Sequence, residues 1–424
     1  MKKLLLILIA LPMIGFGQWV KIFDGTDIDY GFGVVQVADS GFVLAGYTKS
    51  YSMSYHHDIF VMKTNKHGDS LWHKTYGGIC AEGARNIIKT SDGGFAIIGE
   101  KDCPNNSTDP SAYLLKLDAN GDSLWGKYLH QSYGYGYSIQ QTNDDGYIIA
   151  TSYYNLGLLI RTNSLGDTLW TKTYGDSLST SFEEVKLTND GGYIVVGENS
   201  TTSSNSDDHA FVLKTDSLGN VEWYKIHGGA LHTEGRDILQ LANNDYIVLG
   251  QQSVSLGSQY PLSFLLKTDV NGDTLWVKKY PYNNFAWQVI QTTDGGFLLG
   301  TQGTSSGNYS FLMIKTDSNG DTLWSSDINL GSVMFGSVKQ TFDGGYVIIG
   351  STNQWQGNDE GVCLIKLNAS GNIISSTKDI VLENPNKKLL KIVDVLGREV
   401  LPSSNTPLFY IYENGAVEKR IVIE

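Results

Sequence analysis

The stretch Asp343-Gly-Gly-Tyr-Val-Ile-Ile-Gly350 decides the fold, because its pattern of turn, aromatic residue and apolar run occurs seven times in the chain. The other six copies of the turn and its aromatic residue are Asp39–Phe42, Asp92–Phe95, Asp144–Tyr147, Asp190–Tyr193, Asn243–Tyr246 and Asp294–Phe297. Gly and Asn accept the positive φ angles that tight hairpin turns require. The pattern therefore predicts a β-hairpin in every repeat, at a period of 45 to 53 residues.

Two further signals follow each hairpin. An apolar run ends in a basic residue, at Lys63, Lys116, Arg161, Lys214, Lys267, Lys315 and Lys366. After a second turn comes a run that begins at a tryptophan, at Trp72, Trp125, Trp170, Trp223, Trp276 and Trp324. Each repeat thus has four short strands rich in Val, Ile, Tyr and Thr. Four strands at this period indicate an all-β, seven-bladed β-propeller over residues 18–381, with a solenoid as the alternative.

The chain also predicts how the propeller closes. Trp19–Phe23 matches the fourth strand of a repeat but has no three strands before it, whereas the last repeat's own fourth strand, near Ile373–Lys378, lacks the tryptophan. We expect Trp19–Phe23 to complete the seventh blade, which leaves no open sheet edge. We interpret the tryptophans as core residues between blades.

The composition limits the partners. The 424 residues include 48 Gly, 24 Tyr and 18% charged residues, and the net charge is −13. An acidic chain has no general attraction for nucleic acid or anionic lipid. We therefore expect no nucleic-acid partner.

The amino terminus has the pattern of a secretory signal peptide. Residues 1–17 combine a short basic start with the apolar run Leu4–Phe16, and small residues precede a cut before Gln18. The run is too short to cross a bilayer, and no second run of sufficient length follows. The sequence predicts export to the periplasm and no transmembrane segment.

The repeats resemble a bacterial β-propeller repeat family with Trp-x-x-x-Tyr-Gly-Gly and Asp-Gly-Gly-Tyr motifs, as at Trp72–Gly78 and Asp190–Tyr193. Residues 382–424 form a separate tail, predicted as a small β-hairpin-like module. The tail resembles an abbreviated form of the carboxy-terminal sorting domain of type IX secretion in Bacteroidetes, through Asn384-Pro385, Ile392–Arg398 and Val417–Ile423. The resemblance implies the type IX secretion machinery as a partner and a secreted or cell-surface location. A stray hairpin packed on the propeller is the alternative.

A binding site is predicted where the repeat pattern breaks. The position ten residues before each hairpin aromatic holds Phe32, Arg85, Tyr137, Glu183, Arg236, Trp287 and Gly336. Two residues further on, the same count gives only β-branched residues, namely Val34, Ile87, Ile139, Val185, Ile238, Val289 and Val338. The second set belongs to the blade core. The first, varied set is expected to ring the channel mouth and to bind an anionic or sugar-like ligand. The alternative is a polar channel mouth that tolerates any side chain.

The loops on the same face offer a second group of candidates. They carry aromatic and histidine residues among small polar ones, at Tyr51, Tyr55, His56, His57, Tyr153, Tyr154, Tyr260, Tyr309 and Trp355. Such a composition is common on carbohydrate- and protein-binding surfaces. It is equally common in the loops of secreted β proteins.

Cysteine and histidine placement gives three further predictions. Cys80 and Cys103 lie in connections that open on one face, so we expect a disulfide in an exported protein, with Cys363 as a buried free thiol. The histidines show no metal-ligand spacing, although His227 and His232 flank a loop that could hold an ion. We expect no metal and no cofactor.

No catalytic motif stands out. The leading interpretation is a secreted or cell-surface, non-catalytic binding module for a glycan or a protein. The rival is an extracellular polysaccharide lyase or hydrolase with its site at the channel mouth. A purely structural surface component is the third possibility, and fold alone does not decide among them.

Overall fold

The computed structural model of the chain confirms a seven-bladed β-propeller of four-stranded antiparallel blades. It describes residues 18–23, 25, 27–52, 56–103, 110–129, 134–175, 179–200, 208–229, 231–255, 261–305, 308–353, 360–373, 381–383, 389–393, 398–400, 407–412 and 417–421. Within these residues no helix is long and apolar enough to cross a membrane. The predicted signal peptide lies outside them.

The blades follow one another along the chain, each built from the channel outward. Blade 1 contains β2 (Asp29–Gln36), β3 (Phe42–Thr48), β4 (Asp58–Thr64) and β5 (Ser70–Tyr76). Blade 2 contains β6 (Ala81–Lys89), β7 (Phe95–Asp102), β8 (Ser111–Leu117) and β9 (Ser123–Tyr128). Blade 3 contains β10 (Gly136–Gln141), β11 (Tyr147–Tyr153), β12 (Leu156–Thr162) and β13 (Thr168–Tyr174). Blade 4 contains β14 (Ser179–Leu187), β15 (Tyr193–Ser200), β16 (Asp208–Thr215) and β17 (Val221–His227). Blade 5 contains β18 (Thr233–Gln240), β19 (Tyr246–Ser253), β20 (Pro261–Thr268) and the first part of β21 (Thr274–Gln291). Blade 6 contains the second part of β21, β22 (Phe297–Ser305), β23 (Asn308–Thr316) and β24 (Thr322–Ile328). Blade 7 contains β25 (Ser332–Gln340), β26 (Tyr346–Asn353), β27 (Gly361–Leu367) and a strand from the amino terminus.

That last strand is β1 (Trp19–Phe23), so the predicted closure is confirmed. It pairs antiparallel with β27, with Trp19 opposite Lys366 and Ile22 opposite Cys363. On its other side it pairs in parallel with the short β28 (Val381–Glu383). The first and last parts of the propeller are therefore held in one sheet.

Packing between neighbouring blades forms the core. All seven β-branched residues two positions beyond the predicted ring are at most 2% exposed, as predicted. The tryptophan of each fourth strand reaches the outer turn of the next blade. At Gly121, for example, φ is +78°, and a Cβ atom would lie 2.5 Å from the Trp72 ring, so only glycine fits there. The same contact joins Trp19 of blade 7 to Gly68 of blade 1.

The basic residue that ends each third strand forms an ion pair with the acidic residue of its own hairpin turn. The pairs are Lys63–Asp39, Lys116–Asp92, Arg161–Asp144, Lys214–Asp190, Lys267–Asp245, Lys315–Asp294 and Lys366–Asp343. The register explains the partner, because Tyr346 pairs with Leu367 and so places Lys366 beside the turn at Asp343. The Asp or Asn two residues after the basic residue instead caps the next turn, as where Asp118 accepts the backbone N–H groups of Asn120 and Asp122.

The tail contains a separate three-stranded sheet of β29 (Leu389–Val393), β30 (Pro407–Tyr412) and β31 (Val417–Ile421). Its strands pair antiparallel in chain order. The tail is therefore a small β unit, as predicted. Several of its motif residues, Asn384-Pro385 among them, lie outside the described residues.

The three cysteines are arranged as the spacing suggested. Cys80 and Cys103 are joined by a disulfide with their Cα atoms 4.4 Å apart. Cys363 is a buried free thiol in β27. Burial raises the pKa of this thiol far above its usual range, so it stays protonated at neutral pH.

Candidate functional site

All seven predicted ring positions line one cavity of about 420 Å³ at the end of the channel. Its wall comes from the first strand of every blade, and the ring residues are Phe32, Arg85, Tyr137, Glu183, Arg236, Trp287 and Gly336. A volume between about 300 and 1,000 Å³ is typical of small-molecule sites.

Each ring residue is the extra residue of a β-bulge. In blade 1, Gly31 pairs with Gly46 and Gly33 pairs with Ala45, which leaves Phe32 without a partner on the second strand. The other six first strands skip one residue at the equivalent place, and the skipped residue is always the ring residue. A bulge turns the side chain of its extra residue out of the normal alternation. The bulge therefore explains why this position varies while its neighbours keep the repeat.

The residue after the bulge joins one blade to the next, a role that counting along the sequence missed. The Ser337 hydroxyl accepts the backbone N–H of Val34 at 3.2 Å, and the Gln288 amide oxygen accepts that of Val338 at 2.8 Å. Asp237 accepts the N–H of Val289 at 2.9 Å. These bonds fix the bulges of neighbouring blades relative to each other.

Arg85 lies among aromatic rings on one side of the cavity. Its Nε donates to Glu100 Oε2 at 2.9 Å, and its guanidinium carbon is 4.7 Å from the centre of the Tyr135 ring and 5.8 Å from that of Tyr137. Phe32 lies 5.9 Å away on the other side. This guanidinium is thus held in place by one carboxylate and three rings.

Further aromatic residues that the sequence count did not include complete this wall. Tyr30 and Tyr47 line the cavity, with their ring centres 4.9 Å apart. Across the mouth, Trp287 is 37% exposed and stacks on Phe335 at 6.4 Å. Burial raises the pKa of Tyr47 and of Tyr137 to about 12. Both phenols therefore stay protonated at neutral pH and can donate hydrogen bonds.

Arg236 is also paired rather than free. It contacts Glu183 at 3.4 Å and forms a short hydrogen bond to Glu234. Among the ionisable residues that line the cavity, Glu183, Glu184 and Asp237 are acidic. Arg85, Arg236 and Lys339 are basic, so the lining carries no net charge.

Three of these lining residues, Glu184, Asp237 and Lys339, also interact with the charge of Lys186. Lys186 Nζ is 2.7 Å from Glu184 and 3.6 Å from Asp237. Burial lowers the pKa of Lys339, and the nearby positive charge of Lys186 lowers it further. Lys186 thus pairs with both carboxylates.

The predicted aromatic loops do not form one surface among the described residues. Tyr51 packs on His73 and Phe60 at the side of blade 1, and Tyr309 contacts Phe285 in blade 6. Tyr153 and Tyr154 contact each other in blade 3, at 4.7 Å, and His56 is exposed. His57 packs against Tyr47 and so reaches the cavity wall. Tyr55, Tyr260 and Trp355 lie outside the described residues.

Beside the ring, the structure brings together Glu198, Asp208 and His232, which the sequence spacing did not connect. One ligand atom from each lies within 4.8 Å of the others. Burial, followed by repulsion from Glu234 and Glu183, raises the pKa of Glu198 to about 7. His227, the other histidine of the predicted loop, instead lies near Thr274 at 3.4 Å.

Comparisons with known proteins support the fold. No protein-family model matches the chain, and no curated protein matches it. Among solved structures, an ulvan lyase described as a polysaccharide lyase bound to -[GlcA(1-4)Rha3S]- has a TM-score of 0.55 at 8% identity, covering 84% of this chain and 97% of its own. A protein from Lactobacillus plantarum has a TM-score of 0.50 at 11% identity, covering 90% and 96%. A protein of unknown function from Dyadobacter fermentans has a TM-score of 0.49 at 10% identity, covering 82% and 98%. At such identities the first two likenesses show that this chain shares their overall fold.

Proposed function

We propose that the protein is a non-catalytic binding module that takes a neutral glycan at the channel mouth. The observation that carries the proposal is a cavity of about 420 Å³ with aromatic walls and a lining without net charge. Sugars present C–H faces that stack on aromatic rings and hydroxyls that pair with fixed polar groups. Trp287, Phe32 and Tyr137 supply such rings.

The charges favour a neutral ligand over an anionic one. The two arginines expected to attract an anion already pair with Glu100, Glu183 and Glu234. An anion would have to displace these carboxylates, and each paired group would lose charge-assisted hydrogen bonds. A neutral sugar leaves the pairs intact and can use their remaining lone pairs and N–H groups.

The alternative of a polysaccharide lyase needs a base that removes a proton from the sugar. Tyr47 and Tyr137, with pKa values raised to about 12, are poor bases at neutral pH. The likeness to an ulvan lyase supports the shared fold and is no argument for shared chemistry. Lyase activity remains a measurable outcome of the experiment below.

The experiment is a glycan array with the full chain, followed by calorimetry with the best neutral oligosaccharide. Trp287→Ala removes an exposed ring from the mouth and should weaken binding by about 2- to 13-fold, since stacking on one ring contributes about 0.5–1.5 kcal/mol. Phe342→Ala is the matched control, because Phe342 is 64% exposed in a hairpin turn away from the cavity. It should leave the affinity unchanged.

Arginine variants are poor tests of this site. Alanine at Arg85 would leave the buried Glu100 without its cation, and alanine at Arg236 would do the same to the partly buried Glu234, which destabilises the fold itself. Equal affinities for Trp287→Ala and the unaltered protein would refute the proposed site. Formation of unsaturated uronide products on incubation with polysaccharides would refute the non-catalytic part.

We also propose that the protein is exported and sorted to the cell surface by type IX secretion. What supports this is the sequence pattern of residues 1–17 and the tail motifs, together with a propeller whose closure uses β1 and β28. Deleting residues 384–424 keeps both strands and should leave a folded propeller trapped in the periplasm of a host with this machinery. Surface exposure of the truncated protein, at the level of the full chain, would contradict the proposal.

A further inference from the structure

A mixed group of carboxylates and a histidine lies beside the ring, between blades 4 and 5. Glu198 is near the end of β15, Asp208 begins β16, and His232 directly precedes β18. Blade 4 thus supplies two carboxylates and blade 5 one imidazole. The ligand atoms of the three lie within 4.8 Å of one another.

The two carboxylates are positioned by serine hydroxyls. Ser181 donates to Glu198 Oε1 at 3.1 Å, and Ser200 donates a short hydrogen bond to Asp208 Oδ1. Asp208 is only 7% exposed. Its other oxygen, Oδ2, faces the His232 ring at 3.1 Å from Nδ1.

The hydrogen bonds around His232 determine which ring nitrogen offers a lone pair. Its Nε2 is 2.5 Å from Glu234 Oε1. The Glu234 carboxylate already accepts hydrogen bonds from Gln251, at 2.8 Å, and from Arg236. It is therefore an acceptor toward His232 as well, so Nε2 carries the proton. In the neutral ring Nδ1 is then a lone pair directed toward Asp208.

Nδ1 of His232 is buried and has no hydrogen-bond partner among the described residues. A lone pair and a carboxylate oxygen 3.1 Å apart repel each other unless a cation, either a proton on Nδ1 or a metal ion, lies between them. A histidine whose second nitrogen donates to a carboxylate is the usual arrangement of a metal-binding histidine, because the carboxylate fixes the ring and raises its basicity. Glu234 has that supporting position here.

The charge in this region also favours a cation. Glu198, Asp208 and Glu234 lie around His232, and Glu183 and Glu234 share Arg236, the one permanent cation that contacts these four carboxylates among the described residues. Excess negative charge in a partly buried place is costly unless it is compensated. A divalent ion would compensate for it.

We propose that Glu198, Asp208 and His232 form a binding site for a first-row divalent transition-metal ion, with Zn²⁺ as the ion to test. One imidazole and two carboxylates suit Zn²⁺, which takes nitrogen and oxygen ligands in a four-coordinate site and leaves the fourth place for water. Ca²⁺ and Mg²⁺ prefer sites built from oxygen alone. The proposal does not depend on the glycan site.

The experiment is calorimetric titration of ZnCl₂ into the full chain, without an affinity tag and after treatment with a chelator. One Zn²⁺ per chain is expected to bind. Asp208→Asn and His232→Gln should abolish this binding, and Glu234→Gln should weaken it by about 10- to 100-fold as the supporting carboxylate. His67→Gln is the matched control, because His67 is exposed in a distant hairpin turn and should not matter.

Thermal unfolding provides a second readout that is independent of calorimetry. Zn²⁺ should raise the melting temperature of the unaltered protein and of His67→Gln, since a ligand that binds the folded state stabilises it. It should have no such effect on His232→Gln. If His232→Gln fails to fold, Glu198→Gln gives the same test through a different ligand.

Two results would overturn the proposal. One is the lack of saturable one-to-one binding in the unaltered protein, which would show that His232 is protonated and pairs with Asp208 as an ordinary ion pair. The other is binding that survives in both His232→Gln and Glu198→Gln, which would place the ion elsewhere. Either outcome leaves the glycan proposal untouched.

Discussion

The ion pair between Lys315 and Asp294, which closes the hairpin of blade 6, should respond unequally to loss of its two partners. Lys315 Nζ lies 2.8 Å from Asp294 and also donates to the Thr316 carbonyl at 2.8 Å. The lysine side chain is 3% exposed, whereas the aspartate side chain is 57% exposed. Only the aspartate can therefore be solvated by water when its partner is removed.

The magnitudes follow from this difference in exposure. Asp294→Asn leaves a buried ammonium without a counter-charge, which costs about 3–5 kcal/mol at fully buried pairs. We expect about 2 kcal/mol here, because the aspartate side of the pair admits water. Lys315→Met keeps the length of the side chain and leaves a solvated carboxylate, so we expect a loss below about 1 kcal/mol. The double variant should resemble Lys315→Met.

The assay is urea unfolding at pH 7, followed by tryptophan fluorescence, with the free energy of unfolding obtained by linear extrapolation. The cycle of two single variants and the double variant isolates the coupling between the two side chains. If Lys315→Met destabilises the protein as much as Asp294→Asn, the reasoning from exposure is wrong. A double variant less stable than either single one would also refute it.

Three further predictions concern stability. Burial raises the pKa of Asp294, but hydrogen bonds from Lys315 and Thr292 outweigh it and lower this pKa to about 2, and the turn aspartates of three other blades have similar values. The stabilisation by each of these charges is at most about 2 kcal/mol after solvent screening, is complete above about pH 4 and is lost as the pH falls toward 2, so acid unfolding that is complete above pH 5 would contradict this. Replacing Cys80 and Cys103 by serine removes a cross-link between residues 23 apart and should lower the free energy of unfolding by about 3 kcal/mol. A reductant should cause the same loss in the unaltered protein and no loss in the double-serine variant. Ile22→Ala, at a residue of the closing strand that is 3% exposed, should lower the free energy of unfolding by about 2–5 kcal/mol, whereas Ile226→Ala, at a residue that is 46% exposed, should lower it by less than half as much. Equal losses would mean that the closing strand is not packed in the core.

The sequence alone predicted the blade number, the closure and the ring positions, and the reason is that these depend on local patterns. A hairpin with a glycine turn and alternating strands is specified within about fifty residues, and seven copies repeat the same information. The strand at Trp19–Phe23 could be assigned because its pattern matched an incomplete repeat. The ring positions were found because a fixed count from each turn reached the same place in every first strand.

The sequence could not reveal what those ring residues contact. Arg85 and Arg236 were expected to be available to a ligand, but in the structure each pairs with a carboxylate. Nor did it predict that the basic residue of each third strand pairs with the hairpin turn, because that partner depends on the register between strands.

The group of Glu198, Asp208 and His232 depends still more on tertiary structure. Its members come from two blades, and their spacing in the chain matches no metal-binding motif. They meet only because neighbouring blades pack at a fixed angle and carry their loop ends to the same side of the ring. Local sequence patterns determine each blade, whereas the distances between side chains of different blades are set by packing, and those distances decide the chemistry.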